Sequence, residues 1–327
     1  MRRKPMLIVL VAIPLIAILA LAGMIAFGTA AAPPPLASVY DNVRRMDMSE
    51  LPPPQRYTAR DGASLVYRAW PGGGERVAIL IHGSTASSRA MNPLAKALAA
   101  AGATVYAPDM RGHGDSGRRG DIDYIGQLDD DLADLMAVLK PKHPGARFTL
   151  IGFSSGGGFT LRVAGGRYGD LFDRYILLAP YLGYDAPSSR RGGGGWAAPY
   201  VPRIIALAIL NRLGIHSFEG LPIVAFARRP DPNEPVPTYS FRLALGFAAD
   251  RDFRDDLRHV RKPMALLVGG DDDEMVADAY APLLRSLRDD IPVQVIPGVG
   301  HIGLTTEPAA LAAIRTAFTK DPVASAR

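Results

Sequence analysis

Gly152-Phe153-Ser154-Ser155-Gly156 is the most informative stretch of this chain of 327 residues. It follows a short apolar run, Phe148 to Ile151, and opens a segment, Phe159 to Ala164, that can continue as a helix. A serine between glycines at a strand-to-helix turn is the pattern of a nucleophile elbow, because glycines permit a sharp backbone that a Cβ would block. The pattern predicts that Ser154 presents its hydroxyl above the edge of a sheet.

Four other apolar runs end in short polar motifs, as expected where several strands end along one edge of a sheet. They are Val77 to Ile81 before His82-Gly83-Ser84, Val105 to Ala107 before the loop Pro108 to Ser116, Ala265 to Val268 before the loop Gly269 to Val276, and Val293 to Ile296 before the loop Pro297 to His301. A serine, an acid and a histidine therefore occur in that chain order. This is the order of the α/β-hydrolases, and it differs from those of the chymotrypsin and subtilisin families.

Five motifs in sequence order make the chain similar to the α/β-hydrolases, nearest to the serine hydrolases of the monoacylglycerol lipase and lysophospholipase type. Besides the elbow, they are a His-Gly-x turn, an Asp-x-Arg-Gly-His-Gly-x-Ser loop, a Gly-x-x-Asp-x-x-Val acid loop and a Gly-x-x-His end. The resemblance spans about Tyr57 to Phe318 and departs at Ser155, where that group more often has Met or another apolar residue. It implies an α/β-hydrolase fold with a helical cap inserted over the site.

Five stretches that can form helices alternate with the strands. They are Ser88 to Ala101, Ile125 to Lys140, Ser154 to Arg167, Ala277 to Leu287 and Glu307 to Phe318. Such alternation predicts a mostly parallel sheet with helices on both faces.

A segment of different character follows the strand Tyr175 to Ala179, and we assign about Asp185 to Arg258 to the cap. The resemblance implies that this segment covers the carboxyl ends of the strands, where ligands bind in open α/β sheets. Some of its apolar residues either seat the cap on the core or line an acyl-chain pocket. They are Trp196, Tyr200, Ile204, Ile205 and Leu207.

A serine hydrolase needs a base that takes the serine proton and a carboxylate that orients this base. His301 is the predicted base, since it ends the last strand motif in a glycine-flanked loop. Asp273 is the predicted acid because it fits the acid-loop spacing counted from Gly270. Asp272 fits the spacing counted from the preceding glycine and stays the alternative. With Ser154, these residues predict a Ser-His-Asp triad.

The backbone N–H groups of Ser84 and Ser155 are predicted to form the oxyanion hole, because this fold takes one donor from each of those two positions. His82 and the loop Asp109 to Ser116 are interpreted as structural residues that brace neighbouring loops. No His-Glu-x-x-His motif occurs, and the acid loop already explains the aspartates Asp271 to Asp273. The sequence therefore predicts no metal and no cofactor.

The composition predicts one large catalytic domain: 48% of the residues are hydrophobic, and the length suits a single α/β domain. Cysteine is absent, which excludes a disulfide, a thiolate nucleophile and a cysteine-bound metal. The net charge is +5, but the basic residues are scattered and no basic stripe with interleaved aromatic residues is found. We therefore predict no nucleic-acid partner.

The N-terminal run Met6 to Phe27 is uncharged and almost wholly apolar. It predicts a transmembrane helix, because its helical length covers a hydrocarbon core of ~30 Å. The cluster Arg2-Arg3-Lys4 precedes it, which predicts a cytoplasmic N-terminus and an extracytoplasmic catalytic domain. A cleaved signal peptide is the alternative, since Gly28 to Ala32 supplies small residues suited to processing. That alternative predicts a secreted or periplasmic protein.

The predicted domains follow from these segments. Residues 1–30 form the anchor or signal peptide, 31–56 a proline-rich linker, 57–320 the catalytic domain with its cap at about 185–258, and 321–327 a tail. The linker is expected to be poorly packed, because Pro33 to Pro35 and Pro52 to Pro54 cannot join a regular helix or a central strand.

The predicted protein is a membrane-anchored serine hydrolase that cleaves carboxylic esters of lipid-like or small acyl character through an acyl-enzyme. A thioesterase or a peptidase with the same triad is the second possibility. A hydrolase-fold protein that only binds is the third, although such a protein has no chemical need for all three triad groups. The sequence leaves open the acyl length, the leaving group and the oligomeric state.

Overall fold

A mostly parallel eight-stranded sheet forms the centre of the fold, as predicted. The structure is a computed structural model that describes residues 3–228 and 238–320. Its strands in chain order are β1 (Gln55–Thr58), β2 (Ser64–Trp70), β3 (Arg76–Ile81), β4 (Thr104–Pro108), β5 (Arg147–Phe153), β6 (Arg174–Leu178), β7 (Ala197–Pro199), β8 (Pro222–Phe226), β9 (Thr238–Ser240), β10 (Met264–Gly269) and β11 (Val293–Ile296). The large sheet has the order β1-β2-β4-β3-β5-β6-β10-β11. Only β1 and β2 pair antiparallel to their neighbours within it.

Helices occupy most of the segments between these strands. They are α1 (Arg3–Ala26), α2 (Ala37–Arg45), α3 (Asn92–Ala100), α4 (Gln127–Leu139), α5 (Ser155–Gly165), α6 (Val201–Arg212), α7 (Phe241–Gly246), α8 (Phe253–His259), α9 (Ala277–Arg285) and α10 (Pro308–Thr319). The five helices predicted between the strands correspond to α3, α4, α5, α9 and α10. A short 3-10 turn, Ser88–Met91, directly precedes α3 and forms the start of the first predicted helix.

Continuous burial of the central strands explains the parallel sheet. Every residue of β4 and of β10 is buried, which fits strands covered on both faces. The register pairs Ile81 with Gly152 and Gly269 with Ile296. The loops after β3 and β5 therefore lie side by side at the carboxyl edge of the sheet, and so do the loops after β10 and β11. The candidate functional residues are on these loops.

The cap is a mixed structure, and the prediction of a helical cap is wrong in this respect. Between β6 and β10 the chain forms a small antiparallel sheet, β7-β8-β9, together with α6, α7 and α8. Strands β7 and β9 have three residues each. They are too short for the alternation of apolar and polar residues that identifies a strand in the sequence. The turn-rich part of the cap at 229–237 lies outside the described residues.

Helix α8 contacts the core and not only the cap. A Cβ at Gly165 of α5 would overlap the backbone of Asp256 in α8, so the two helices approach backbone to backbone. Arg258, the predicted end of the cap, therefore falls inside a helix that packs on the core.

The N-terminal helix α1 contacts the cap. The guanidinium of Arg203 in α6 donates to Ile25 O at 3.0 Å and to Gly28 O at 2.7 Å, and the Tyr200 hydroxyl donates to Phe27 O. Among the helices of residues 3–228 and 238–320, none combines the length and apolar character that crossing a membrane requires. The predicted transmembrane helix is thus not supported by the structure.

The predicted linker is partly folded and packed, contrary to expectation. Helix α2 forms between the two proline runs, and Val39 on it is buried. Asn92 on α3 donates to Asp47 O at 2.8 Å, and Lys96 forms a 2.8 Å ion pair with the Asp47 carboxylate. The prolines interrupt only the ends of this segment, so the nine residues of the helix between them are free to form it.

Candidate active site

Ser154 lies at the junction of β5 and α5 on a sharply turned backbone. Its φ is 55° and its ψ is −120°, a strained combination for a residue other than glycine. Ser154 N–H donates to Leu178 O at 2.9 Å, and Gly157 N–H donates to Ser154 O at 2.9 Å. A Cβ at Gly156 would overlap the carbonyl oxygen of His82, so this turn requires glycine. The backbone has the geometry of a nucleophile elbow.

His301 follows β11 and faces two carboxylates of the loop after β10. Its Nδ1 donates to Oδ2 of Asp272 at 2.7 Å, and its Nε2 lies 3.4 Å from Oε2 of Glu274. Burial lowers the pKa of His301, but the carboxylates of Glu274 and Asp272 raise it by more, to about 9. The contact with Asp272 fixes the Nδ1–H tautomer and leaves Nε2 toward the cavity.

The side chain of Asp272 is fixed in place by the backbone of its own loop. Its Oδ1 accepts the N–H groups of Glu274 at 2.9 Å and Met275 at 2.7 Å. The residue is 1% exposed. These two bonds orient the side chain so that Oδ2 lies against Nδ1 of His301, where a carboxylate can stabilise a positive charge on the imidazole.

The loop after β3 lies against the elbow and carries Ser84. A Cβ on Gly83 would lie 3.3 Å from the Ser154 Cβ, so the two loops are in close contact. The Ser84 hydroxyl accepts a hydrogen bond from Trp196 Nε1 of the cap at 2.9 Å. Ser155 is the first residue of α5, and the first N–H groups of a helix have no intrahelical acceptor. Both predicted oxyanion donors are therefore beside Ser154.

A tyrosine of the cap fixes the position of the same loop. The hydroxyl of Tyr239 in β9 accepts the N–H of Thr85 at 2.6 Å and donates its proton to Nε2 of His113. Thr85 has a φ of 58°, a left-handed conformation that costs free energy in a β-branched residue. The hydrogen bond to Tyr239 stabilises this conformation and so couples the cap to the loop after β3.

A cavity of about 490 Å³ opens above these residues and includes Ser154, His301 and Glu274 in its wall. Its apolar side is formed by Phe153, Trp196 and three residues from the predicted linker. These three are Val39, Met46 and Met48. The cavity can thus hold an apolar group next to the serine.

The chain matches the model of a known protein family. The model described as serine aminopeptidase, S33, matches residues 74–308, which is well over half of the chain. The chain is an α/β-hydrolase of the S33 family. The matched range contains the elbow, the acid loop and His301, so this hydrolase has its candidate site within the family's common region.

Relatives of this hydrolase act on different substrates. A monoacylglycerol lipase of Mycolicibacterium smegmatis is 28% identical over 253 residues, which cover 73% of this chain and 86% of the relative. A 2-(acetamidomethylene)succinate hydrolase of Mesorhizobium japonicum is 27% identical, with 68% and 80% covered. The crystal structure of a soluble variant of Saccharomyces cerevisiae monoglyceride lipase has a TM-score of 0.62 at 18% identity, with 85% and 99% covered. The last of these comparisons shows that the chain shares its fold with that structure.

The predicted acid of this hydrolase needs a correction. Asp273 is exposed, and the structure places Asp272 against His301. Strand β10 ends at Gly269, and the loop register runs from that residue. The sequence motif favoured Asp273 because Val276 stands three residues later, whereas Met275 stands at this place after Asp272. Met275 is buried and stands where the motif counted from Asp272 would have valine. The spacing therefore does not distinguish Asp272 from Asp273.

His82 and the loop Asp109 to Ser116 brace the hydrolase, as interpreted from the sequence. Asp109 accepts the N–H groups of Ser88 at 2.7 Å and Asp115 at 3.0 Å. Arg111 forms a bidentate pair with Asp131 at 2.8 and 2.7 Å. Burial lowers the pKa of His82, which donates from Nδ1 to a backbone carbonyl. Within the described ranges, no group of three acidic, histidine or cysteine side chains is arranged to hold a metal.

Two features of the site were missed in the sequence. Glu274 stands in the acid loop, but its burial beside His301 depends on the packing of the cap over that loop. Val39, Met46 and Met48 belong to a segment that was interpreted as a spacer. The only signal available for them was the pair of methionines between the proline runs, which is too weak to predict a contact.

Proposed function

We propose that this hydrolase cleaves carboxylic esters with an apolar acyl group, through an acyl-enzyme on Ser154. One observation carries the proposal: the strained elbow at Ser154 and the buried His301–Asp272 pair meet at one cavity. Asp272 takes the place of Asp273 as the proposed acid.

The first half of the reaction uses His301 as a base. Nε2 of His301 accepts the hydroxyl proton of Ser154 while Oγ forms a bond to the ester carbonyl carbon. The imidazole then carries a positive charge, which Asp272 stabilises at 2.7 Å. His301 next gives this proton to the departing alkoxide, and the acyl group remains on Oγ.

The second half repeats these steps with water. His301 accepts a proton from the water as its oxygen attacks the acyl carbon, and the proton passes to Oγ when the carboxylic acid is released. In both halves, negative charge develops on the carbonyl oxygen. The backbone N–H groups of Ser84 and Ser155 are the proposed donors to this oxygen. Such a donor is typically worth ~3 kcal/mol in the transition state.

The cavity supports a lipid-like acyl group. Met46, Met48 and Trp196 offer flexible and aromatic surface near the serine, and burying apolar chain carbons there is favourable by about 0.8 kcal/mol per methylene. The relative named a monoacylglycerol lipase supports the same substrate class. We therefore propose an ester of a fatty acid with glycerol or a similar small alcohol.

A panel of p-nitrophenyl esters of increasing acyl length tests this function. We expect hydrolysis by the intact protein and none by Ser154→Ala. No hydrolysis of any ester or acylglycerol by the folded protein would contradict the proposal and favour a binding protein with this fold.

Peptide cleavage is the second candidate, because the matching family is described as a serine aminopeptidase. The same triad chemistry applies to an amide. Amino-acyl p-nitroanilides distinguish the two, since an aminopeptidase would cleave them in preference to the esters.

The location of the enzyme stays a prediction from the sequence. The apolar run Met6 to Phe27 predicts a protein that remains with membranes after a carbonate wash, with its C-terminus outside the cytoplasm. Release by the wash, or a C-terminal reporter active in the cytoplasm, would contradict this prediction.

A further inference from the structure

Glu274 is a buried acid at the active site that the proposed mechanism does not use. It stands two residues after Asp272, its side chain is 7% exposed, and it lines the cavity with Ser154 and His301. Its Oε2 lies 3.4 Å from Nε2 of His301, the nitrogen that must accept the serine proton. The imidazole is therefore flanked by a carboxylate at each of its nitrogens.

The placement of Glu274 costs free energy, since a carboxylate loses its hydration when it is buried. Burial raises the pKa of Glu274 to about 7, while the nearby His301 opposes this rise. In the described residues, His301 is the one cationic partner of this carboxylate within ion-pair distance. Nε2 of His301 in turn has no hydrogen bond to any described residue. The two groups thus face each other across a short gap.

The remaining charges around the pair come from three directions. Asp272 and Asp273 stand on the same loop, and Asp272 bonds the far nitrogen of the ring. Arg190 of the cap donates to the backbone carbonyls of Asp272 at 3.0 Å and Met275 at 3.1 Å. Arg89, Arg119 and Arg228 line the cavity further along its wall. The hydroxyl of Tyr280 bonds Pro180 O, so it does not compete for the imidazole.

We propose that Glu274 is a positioning residue that acts through His301: its carboxylate competes with the Ser154 hydroxyl for Nε2 and holds the imidazole in its protonated form. The proposal rests on the proposed function of His301 as the base. A neighbouring negative charge favours the charged imidazolium, so it raises the pH at which the neutral base forms. As the pH falls, the native enzyme therefore loses its neutral base at a higher pH than it would without Glu274.

Glu274→Gln tests this role, because glutamine keeps the size and removes the charge. In the plot of kcat/KM against pH, the acid limb of the variant should lie about 1 to 3 pH units below that of the native enzyme. This is the usual effect on a pKa of one opposite charge within ~4–6 Å. At any pH below the midpoints of both acid limbs, kcat/KM of the variant should exceed that of the native enzyme. The excess should be about tenfold for each pH unit between the two midpoints. Asp271→Asn is the matched control: it removes an exposed charge from the same loop, and its limb should coincide with that of the native enzyme.

A second measurement does not depend on hydrolysis. In full-length Ser154→Ala protein, the imidazole of His301 is titrated by nitrogen-15 NMR with and without Glu274→Gln. We expect a lower imidazole pKa when Glu274 is replaced. An unchanged imidazole pKa overturns the proposal. A native enzyme with no hydrolytic activity would instead refute the proposed function, while the titration would still report on the pair. A glutamine variant that is inactive at every pH, despite a lower imidazole pKa, would overturn the positioning role and make Glu274 a catalytic residue.

Discussion

Replacing Asp272 with asparagine should abolish most of the turnover while leaving the fold intact. Asparagine can still accept the backbone N–H groups of Glu274 and Met275 through its oxygen, which now bond Oδ1 at 2.9 and 2.7 Å. Its amide nitrogen would then face Nδ1 of His301, where the carboxylate oxygen lies at 2.7 Å. An N–H donor at this place forces Nδ1 to act as the acceptor and puts the ring proton on Nε2. The imidazole could then no longer take the proton of Ser154.

The expected loss is roughly 10⁴-fold in kcat, as when a triad acid becomes an amide. It corresponds to about 5.4 kcal/mol of activation free energy, at roughly 1.36 kcal/mol per factor of ten. The assay is steady-state hydrolysis of a p-nitrophenyl ester, with thermal melting of each variant to detect unfolding.

Asp273→Asn is the matched control for this experiment. Asp273 neighbours Asp272 but is exposed, and a solvated charge interacts little with the transition state, so its loss should change kcat by less than about tenfold. A severe loss in Asp273→Asn together with a mild one in Asp272→Asn would refute the geometry of the acid loop.

Two further predictions concern the walls of the site. Tyr239→Phe removes the acceptor of the Thr85 N–H. The displaced loop after β3 should lower kcat by about 10- to 100-fold, and the melting temperature should also fall. An unchanged kcat would show that this contact with the cap does not affect catalysis. The double variant Met46→Ala with Met48→Ala removes apolar surface from the cavity, so kcat/KM for a medium-chain ester should fall about tenfold relative to the acetyl ester. Equal effects on both esters would show that the acyl chain lies elsewhere.

The sequence predicts the sheet and the positions of the four loops that carry the candidate site residues, because each of these four strands ends in or is followed by a motif that contains glycine, the residue that permits tight turns and close backbone contacts. The glycines around Ser154 are an example, since Gly156 leaves no room for a Cβ. His301 and Ser84 are predicted from motifs of the same kind, in which each residue follows a glycine. The order of the motifs then placed them along one edge of a parallel sheet.

The remaining features depend on contacts between distant segments. Asp272 and Asp273 both fit the spacing of the acid-loop motif. The choice between them depends on which of the two side chains points to His301 after β10. The burial of Glu274 depends on the cap. The strands β7 and β9 of the cap have only three residues each, which is too few to show the alternating hydrophobic pattern of a strand. Val39 of helix α2 lines the cavity, and Asn92 and Lys96 of a distant helix bond Asp47, two residues after the end of α2.

Active-site labelling followed by peptide sequencing tests whether Ser154 is the nucleophile. A fluorophosphonate forms a covalent bond only with an activated serine, and trypsin cleavage after Arg147 and Arg162 gives one peptide that contains both Ser154 and Ser155. The proposed mechanism predicts a single label, which fragmentation places on Ser154. Labelling should be lost in Ser154→Ala and kept in Ser155→Ala. A label on Ser155 or on a serine outside this peptide, or labelling that persists in Ser154→Ala, would contradict the assignment of Ser154 as the nucleophile.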